Sequence, residues 1–254
     1  MLRVVWCVPM VVALLTGCQS TGSSSSPGST ENRIKLAEID TQLGIAYMRE
    51  GDNELALNKL EKALAANPRV AETHNAIAVL YNLLGETQKA EVHYKTAIGL
   101  DPKNISTLNN YGLFLCQQGR YKQGQEKFEE AFSNPLNRAP ANALTNAGTC
   151  AQQAKDPAHA EQYFRSALQI APKLAPALLR MAQLSFDQQR FLEARGYFQR
   201  YLETDVQSAQ TLWLGIRIEH GIDDRNASAS YALELKNKFP DSPEYGLYLQ
   251  GKFN

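Results

Sequence analysis

The sequence predicts an all-α fold, a solenoid of paired antiparallel helices, and two observations carry that expectation. Prolines recur on one spacing. Pro68 and Pro102 are 34 residues apart, Pro172 and Pro240 are 68 apart, and the 70 residues from Pro102 to Pro172 are two periods with two residues over. Between the prolines, small residues recur at fixed offsets. Gly44, Ala78, Gly112, Gly148 and Ala182 form a first row, and Ala56, Ala90, Gly124, Ala160 and Ala194 follow twelve residues later. Ala63, Ala97, Ala131 and Ala167 follow after seven more, until Tyr201 breaks that row. Leu60, Tyr94, Phe128, Phe164 and Phe198 stand four residues after the second row. Small side chains let two helices approach closely, and the large one fills the space beside them. Proline can neither donate its amide nor continue a helix, so it separates one pair from the next.

The front of the chain reads differently. Residues 1–17 have one basic residue, Arg3, and then the apolar run "VVWCVPMVVALL". That run is shorter than the roughly 20 apolar residues a spanning helix needs, so a cleaved export signal is expected. It exits through "LTGC", Leu15 to Cys18, which resembles the lipobox of bacterial lipoproteins. The resemblance implies cleavage before Cys18 and acylation of its thiol, with the lipid attached to the membrane. Gln19 stands where an aspartate would imply retention in the inner membrane, so the outer membrane of a Gram-negative cell is implied, with the protein facing the periplasm. The segment 18–32, rich in Ser and Gly, is expected to be a flexible tether, too polar to bury anything.

Residues 33–254 are expected to form one repeat domain. Its segments begin "LGIAYMREGDNELALNKLEKALAANP" and "IAVLYNLLGETQKAEVHYKTAIGLDP". They resemble the tetratricopeptide repeat closely, which implies a right-handed superhelix. The repeats are placed at 37–70, 71–104, 105–138, 141–174, 175–208 and 209–242. The sixth is degenerate, and "FSNPLNRAPANA" holds the two surplus residues. Residues 243–254, within "SPEYGLYLQGKFN", would be a capping helix over the last exposed face.

Composition points away from several functions. Residues 18–254 hold 25 basic and 26 acidic side chains. That balance argues against a nucleic-acid partner, which needs a basic face. Neither H-E-x-x-H, C-x-x-C, G-x-G-x-x-G nor a phosphate-loop motif occurs. His74, His93, His159 and His220 are read as scattered over different repeats without a partner pair. No enzyme, cofactor, metal or small-molecule substrate is therefore expected.

In the tetratricopeptide family, repeat positions 2, 5, 9 and 12 of each first helix face the concave surface. Here they carry Glu38, Thr41, Ile45 and Met48; then Glu72, Asn75, Val79 and Asn82; then Ser106, Asn109, Leu113 and Cys116; then Asn142, Thr145, Thr149 and Gln152. The resemblance thus implies a binding groove at Ile45, Met48, Asn75, Val79, Asn82, Asn109 and Leu113, apolar at first and polar by the fourth repeat. An apolar strip in a groove suits a peptide or helix with hydrophobic anchors. The family's clamp of Lys and Arg on a peptide carboxylate is not evident, and the asparagines are read as able to hold an extended backbone. Cys116 and Cys150 lie in the first helices of repeats three and four, offset by about half a turn. The spacing leaves a disulfide and two free thiols both open.

An acylated terminus, a serine-rich tether and about six such repeats resemble the type IV pilus biogenesis and stability lipoproteins, the PilF/PilW family. The resemblance spans the chain. It implies a pilotin, which binds the type IV pilus secretin subunit and promotes its localisation and multimerisation, and so pilus biogenesis and twitching motility. Periodicity alone leaves a second reading, a lipoprotein adaptor for periplasmic proteases or cell-wall enzymes.

Overall fold

The structure is a computed structural model that describes residues 27–204 and 207–253. The signal segment 1–17, Cys18 and the tether as far as residue 26 lie outside the described residues. Residues 27–32, expected as tether, are the first turns of a helix instead.

Thirteen helices and no strand are found among the described residues. They are α1 (Pro27–Glu50), α2 (Asn53–Ala66), α3 (Ala71–Leu83), α4 (Thr87–Leu100), α5 (Ile105–Gln117), α6 (Tyr121–Phe132) and α7 (Pro140–Gln153). Then come α8 (Pro157–Ile170), α9 (Ala175–Asp187), α10 (Phe191–Leu202), α11 (Ala209–Ile222), α12 (Arg225–Lys238) and α13 (Pro243–Leu249). Odd and even helices pack as consecutive pairs, and α1, α3, α5, α7, α9 and α11 each touch the next in that series. The sixth, degenerate repeat forms its pair in α11 and α12, and α13 packs against both.

Close approach explains the small-residue rows. A Cβ on Gly148 would lie 2.5 Å from the Phe164 ring, and one on Gly112 would lie 2.7 Å from the Phe128 ring. Ala56, Ala90, Ala160 and Ala194 are fully buried, as are Leu60, Phe128, Phe164 and Phe198. Polar caps start many of the helices. Asp52, Asn104, Asp156, Ser208, Asp224 and Ser242 each accept a backbone N–H three residues on, worth about 1 kcal/mol apiece.

The turn inside each pair reverses through a left-handed residue. Gly51, Gly85 and Gly119 take φ of 83°, 78° and 72°, and Lys155, Gln189 and Asp223 take 59°, 60° and 61° at the equivalent places. Neighbouring repeats are also joined through charge. Arg120 binds Glu91 at 2.7 Å and Arg190 binds Glu161 at 2.7 Å. Both carboxyls lie below the ordinary glutamate range: Glu91 through its bonds to Arg120 and Lys95, Glu161 through its bonds to Arg190 and Arg165 against an opposing burial cost.

The widened connection between α6 and α7 is tied down by its own amides. Asn137 Nδ2 donates to Ala131 O at 2.9 Å and Asn134 Nδ2 donates to Lys103 O at 3.1 Å. Pro140 opens α7 within its first two positions, where a missing N–H costs nothing.

Candidate protein-binding surface

The first helices stack side by side, and their contacts decide which of the expected groove residues stay open. Thr41, Asn75 and Thr145, all at position 5, are buried. Thr41 and Thr73 hydroxyls share a hydrogen bond of 2.7 Å across α1 and α3. The asparagines are engaged between repeats. Asn110 Nδ2 donates to Asn75 Oδ1 at 3.2 Å, Asn146 Nδ2 to Asn109 Oδ1 at 2.9 Å, and Asn82 Nδ2 to Gln117 Oε1 at 2.9 Å. Asn75 is buried and its amide must be satisfied, and the neighbouring repeat satisfies it. The three pairs form a ladder along the solenoid in which each bond engages one end of an amide with the neighbouring repeat.

The apolar strip is half absorbed into the core. Ile45 and Met48 pack against the cluster containing Leu60, Ile77 and Leu80. Val79 packs with Tyr94 and Phe114, and Leu113 with Cys116 and Phe128. Each of the four remains partly exposed. By the fourth repeat the surface is polar, with Thr149, Gln152 and Arg180 lining a cleft of about 590 Å³.

A larger apolar exposure lies outside the expected groove. Position 3 of the repeat is Thr73 in α3 and Ala177 in α9, both fully buried, and position 7 is Ile77 and Met181, at 2 % and 0 % exposure. In α1 the same positions are Ile39, 58 % exposed, and Leu43, 38 % exposed, with Leu36 beside them at 50 %. In later repeats these side chains meet the preceding repeat. Among the described residues α1 packs only on α2 and α3, so its outer face stays open. The signal was legible: Leu36, Ile39 and Leu43 follow the spacing of one helix face.

Two further pairs converge. Cys116 and Cys150 are joined as a disulfide, with Cα atoms 5.6 Å apart. It links α5 to α7 across the junction that carries the two extra residues. His74 and His93 both belong to the second repeat, and their Nδ1 atoms lie 3.0 Å apart. This corrects the expectation of scattered histidines without a partner pair, since 19 residues bring a position on α3 opposite one on α4. His74 Nε2 lies 3.0 Å from Pro68 O. A carbonyl only accepts, so Nε2 carries a proton, and in the neutral pair the Nδ1–H of His93 donates to His74. Burial, then the neighbouring His74, pushes the basicity of His93 down. No group of three or more metal-ligating side chains occurs among the described residues. None of their helices is long and apolar enough to cross a membrane.

Helix pairs on a 34-residue period, small residues at the pair contacts and an inner surface built from the first helices define a tetratricopeptide-repeat protein. Three family profiles described as Tetratricopeptide repeat match residues 41–105, 104–173 and 151–212. The type IV pilus assembly protein PilF of Pseudomonas aeruginosa is 34 % identical over 231 residues, covering 91 % of this chain and 92 % of that protein. A solved structure of Pseudomonas aeruginosa PilF superposes with TM-score 0.75 at 33 % identity, over 87 % of this chain and 100 % of that one. The crystal structure of PilW, described as a widely conserved type IV pilus biogenesis factor, gives TM-score 0.78 at 29 % identity, over 84 % and 98 %. The chain belongs to this PilF/PilW family of type IV pilus biogenesis proteins.

Proposed function

We propose that the protein is a pilotin, a binding protein without catalytic activity. It is acylated at Cys18, anchored in the outer membrane facing the periplasm, and binds the type IV pilus secretin subunit. That binding brings the secretin to the outer membrane and promotes its multimerisation, on which pilus biogenesis and twitching motility depend. The "LTGC" sequence supports the anchor, and kinship with PilF and PilW supports the process.

The observation that carries the binding role is the exposure of Ile39 and Leu43 at positions that later repeats bury. In those repeats the covering element is a helix pair, so the fitting partner segment is a helix with an apolar face. The half-open strip of Ile45, Val79 and Leu113 on the inner surface is a second apolar exposure in the first three repeats. Co-purification of the secretin subunit with the acylated chain, and its loss in Ile39→Asp, tests the reading. Retrieval of cell-wall enzymes or proteases with normal secretin multimers in a deletion strain would replace it with the adaptor role.

A further inference from the structure

The C-terminal end of the inner surface differs from the rest. Trp213, Arg217 and His220 of α11 stand at positions 5, 9 and 12 of the sixth repeat, and Phe186 stands at position 12 of the fifth. The Arg217 guanidinium lies 4.6 Å from the centroid of the Phe186 ring and 5.9 Å from that of Trp213. Beyond α13 the chain brings Phe253 onto the same place. Its ring stacks on His220, centroids 4.2 Å apart, and on Trp213 at 5.7 Å. The cleft so formed has a volume of about 430 Å³, and Phe186, Phe191, Arg217, His220 and Phe253 line it.

Arg217 has rings around it where other arginines of the chain have a carboxylate. Arg120, Arg165, Arg190 and Arg195 each hold a glutamate. Arg217 makes no ion pair or hydrogen bond among the described residues, and its Nε is buried without an acceptor. Burial lowers its basicity, opposed by the charge of Asp187. Asp187 lines the same cleft, but its Oδ1 accepts from Gln183 Nε2 at 2.7 Å. A half-buried cation that has rings and a nearby carboxylate charge but no ion pair is incompletely compensated, and an incoming carboxylate would relieve that cost. Ring faces beside it favour an aromatic companion, and arginine with aromatic residues is the composition in which binding energy concentrates.

We propose that this cleft is a second docking site, for a partner polypeptide segment that carries an aromatic side chain close to a carboxylate. Arg217 takes the carboxylate, and the ring packs against Phe186 and Phe253. The proposal rests on the reading of the inner surface as a partner-binding surface, and it is separate from the seat on the first repeat.

Trp6 and Trp213 are the two tryptophans of the chain, so in the full chain carrying Trp6→Phe the emission of Trp213 reports on this cleft alone. That protein, in detergent, is titrated with a short peptide bearing Phe and Glu two residues apart. The expected result is saturable binding that changes Trp213 emission. Replacing the peptide's Glu by Gln, or Arg217 by Met, weakens it at least about tenfold, the loss of one charge-assisted hydrogen bond. If Arg217→Met melts early, Phe253→Ala, which lies outside the repeats, serves as the second variant and should weaken the same binding. Equal affinity for the Glu and Gln peptides, or competition by inorganic phosphate as effective as by peptide, overturns the proposal. Secretin capture by Ile39 variants is measured separately, so failure here leaves the reading of the first repeat standing.

Discussion

His74 and His93 face each other with Nδ1 atoms 3.0 Å apart, and one period earlier Asp40 and Lys59 form an ion pair at the same two repeat positions. The position that holds opposite charges in the first repeat therefore holds two bases in the second. Tyr81 is the other titratable ring beside them, 5.7 Å from His93. His93 is less basic folded than its ordinary value of 6.5 because burial and His74 oppose its charge. The unfolded chain then binds the proton more readily, so stability present above about pH 6.5 is lost as pH falls below it. The glutamates Glu91 and Glu161, held below 4.5, lose their contribution in a lower window. The thermal midpoint should fall between pH 7 and pH 5, and His93→Gln should flatten that slope. A variant with the full slope would remove the pair as its cause.

Ile39 and Leu113 should separate binding from folding. Ile39→Asp places a charge on an open face and should shift the melting temperature little while abolishing secretin capture. Leu113 packs on Cys116 and Phe128, so Leu113→Asp should cost about 1–3 kcal/mol of stability. Urea unfolding and co-purification, run side by side on both variants, check the contrast. A destabilised Ile39→Asp protein would show that its outer face is covered after all.

The fold was legible because each repeat states its own packing rule. Gly112 against Phe128 and Gly148 against Phe164 are pairs 16 residues apart, so the sequence shows them locally. The site was less legible, for physical reasons particular to each residue. Whether Asn75 is open or buried depends on how closely α3 stacks on α5, which no single repeat encodes. Ile39 and Leu43 could have been found by asking which first-repeat positions later repeats bury. The meeting of Phe253 with Trp213 and His220 depends on how the chain turns after α13, and no periodicity announces that.

Gln189 occupies a left-handed turn position that Gly51, Gly85 and Gly119 fill in the first three repeats. A side chain there costs about 1–2 kcal/mol, offset in part by the greater freedom glycine loses on folding. Gln189→Gly should raise stability by about 0.5–1 kcal/mol. Gly85→Ala should lower it. Equilibrium urea unfolding of the two variants measures both signs, and a destabilised Gln189→Gly would contradict the turn assignment.

Cys18→Ala should change location and leave folding intact. Every described helix lies beyond residue 26, so circular dichroism of the substituted chain should match the parent. Without the acyl chains, each buried methylene of which contributes about 0.8 kcal/mol, the protein should appear in the periplasmic soluble fraction. Secretin should still multimerise in part, with less of it in the outer membrane. Substituted protein that stays membrane-bound after a salt wash, in cells lacking the secretin, would defeat the anchor assignment.

The Cys116–Cys150 bridge closes a loop of 34 residues, for which the chain-entropy model gives about 3–4 kcal/mol. It joins α5 to α7 at the one junction with two extra residues, where the repeat period supplies no standard stacking. Its loss should therefore act locally as well as globally. Reduction, or paired Cys116→Ser and Cys150→Ser substitution, should lower the urea midpoint. It should also speed amide hydrogen exchange in α6 and α7 more than in α3 or α11. Uniform acceleration would point to a global effect alone. Two titratable thiols in the unfolded, unreduced chain freed of Cys7 and Cys18 would mean the bridge does not form, and unfolding should then be the same with and without reductant.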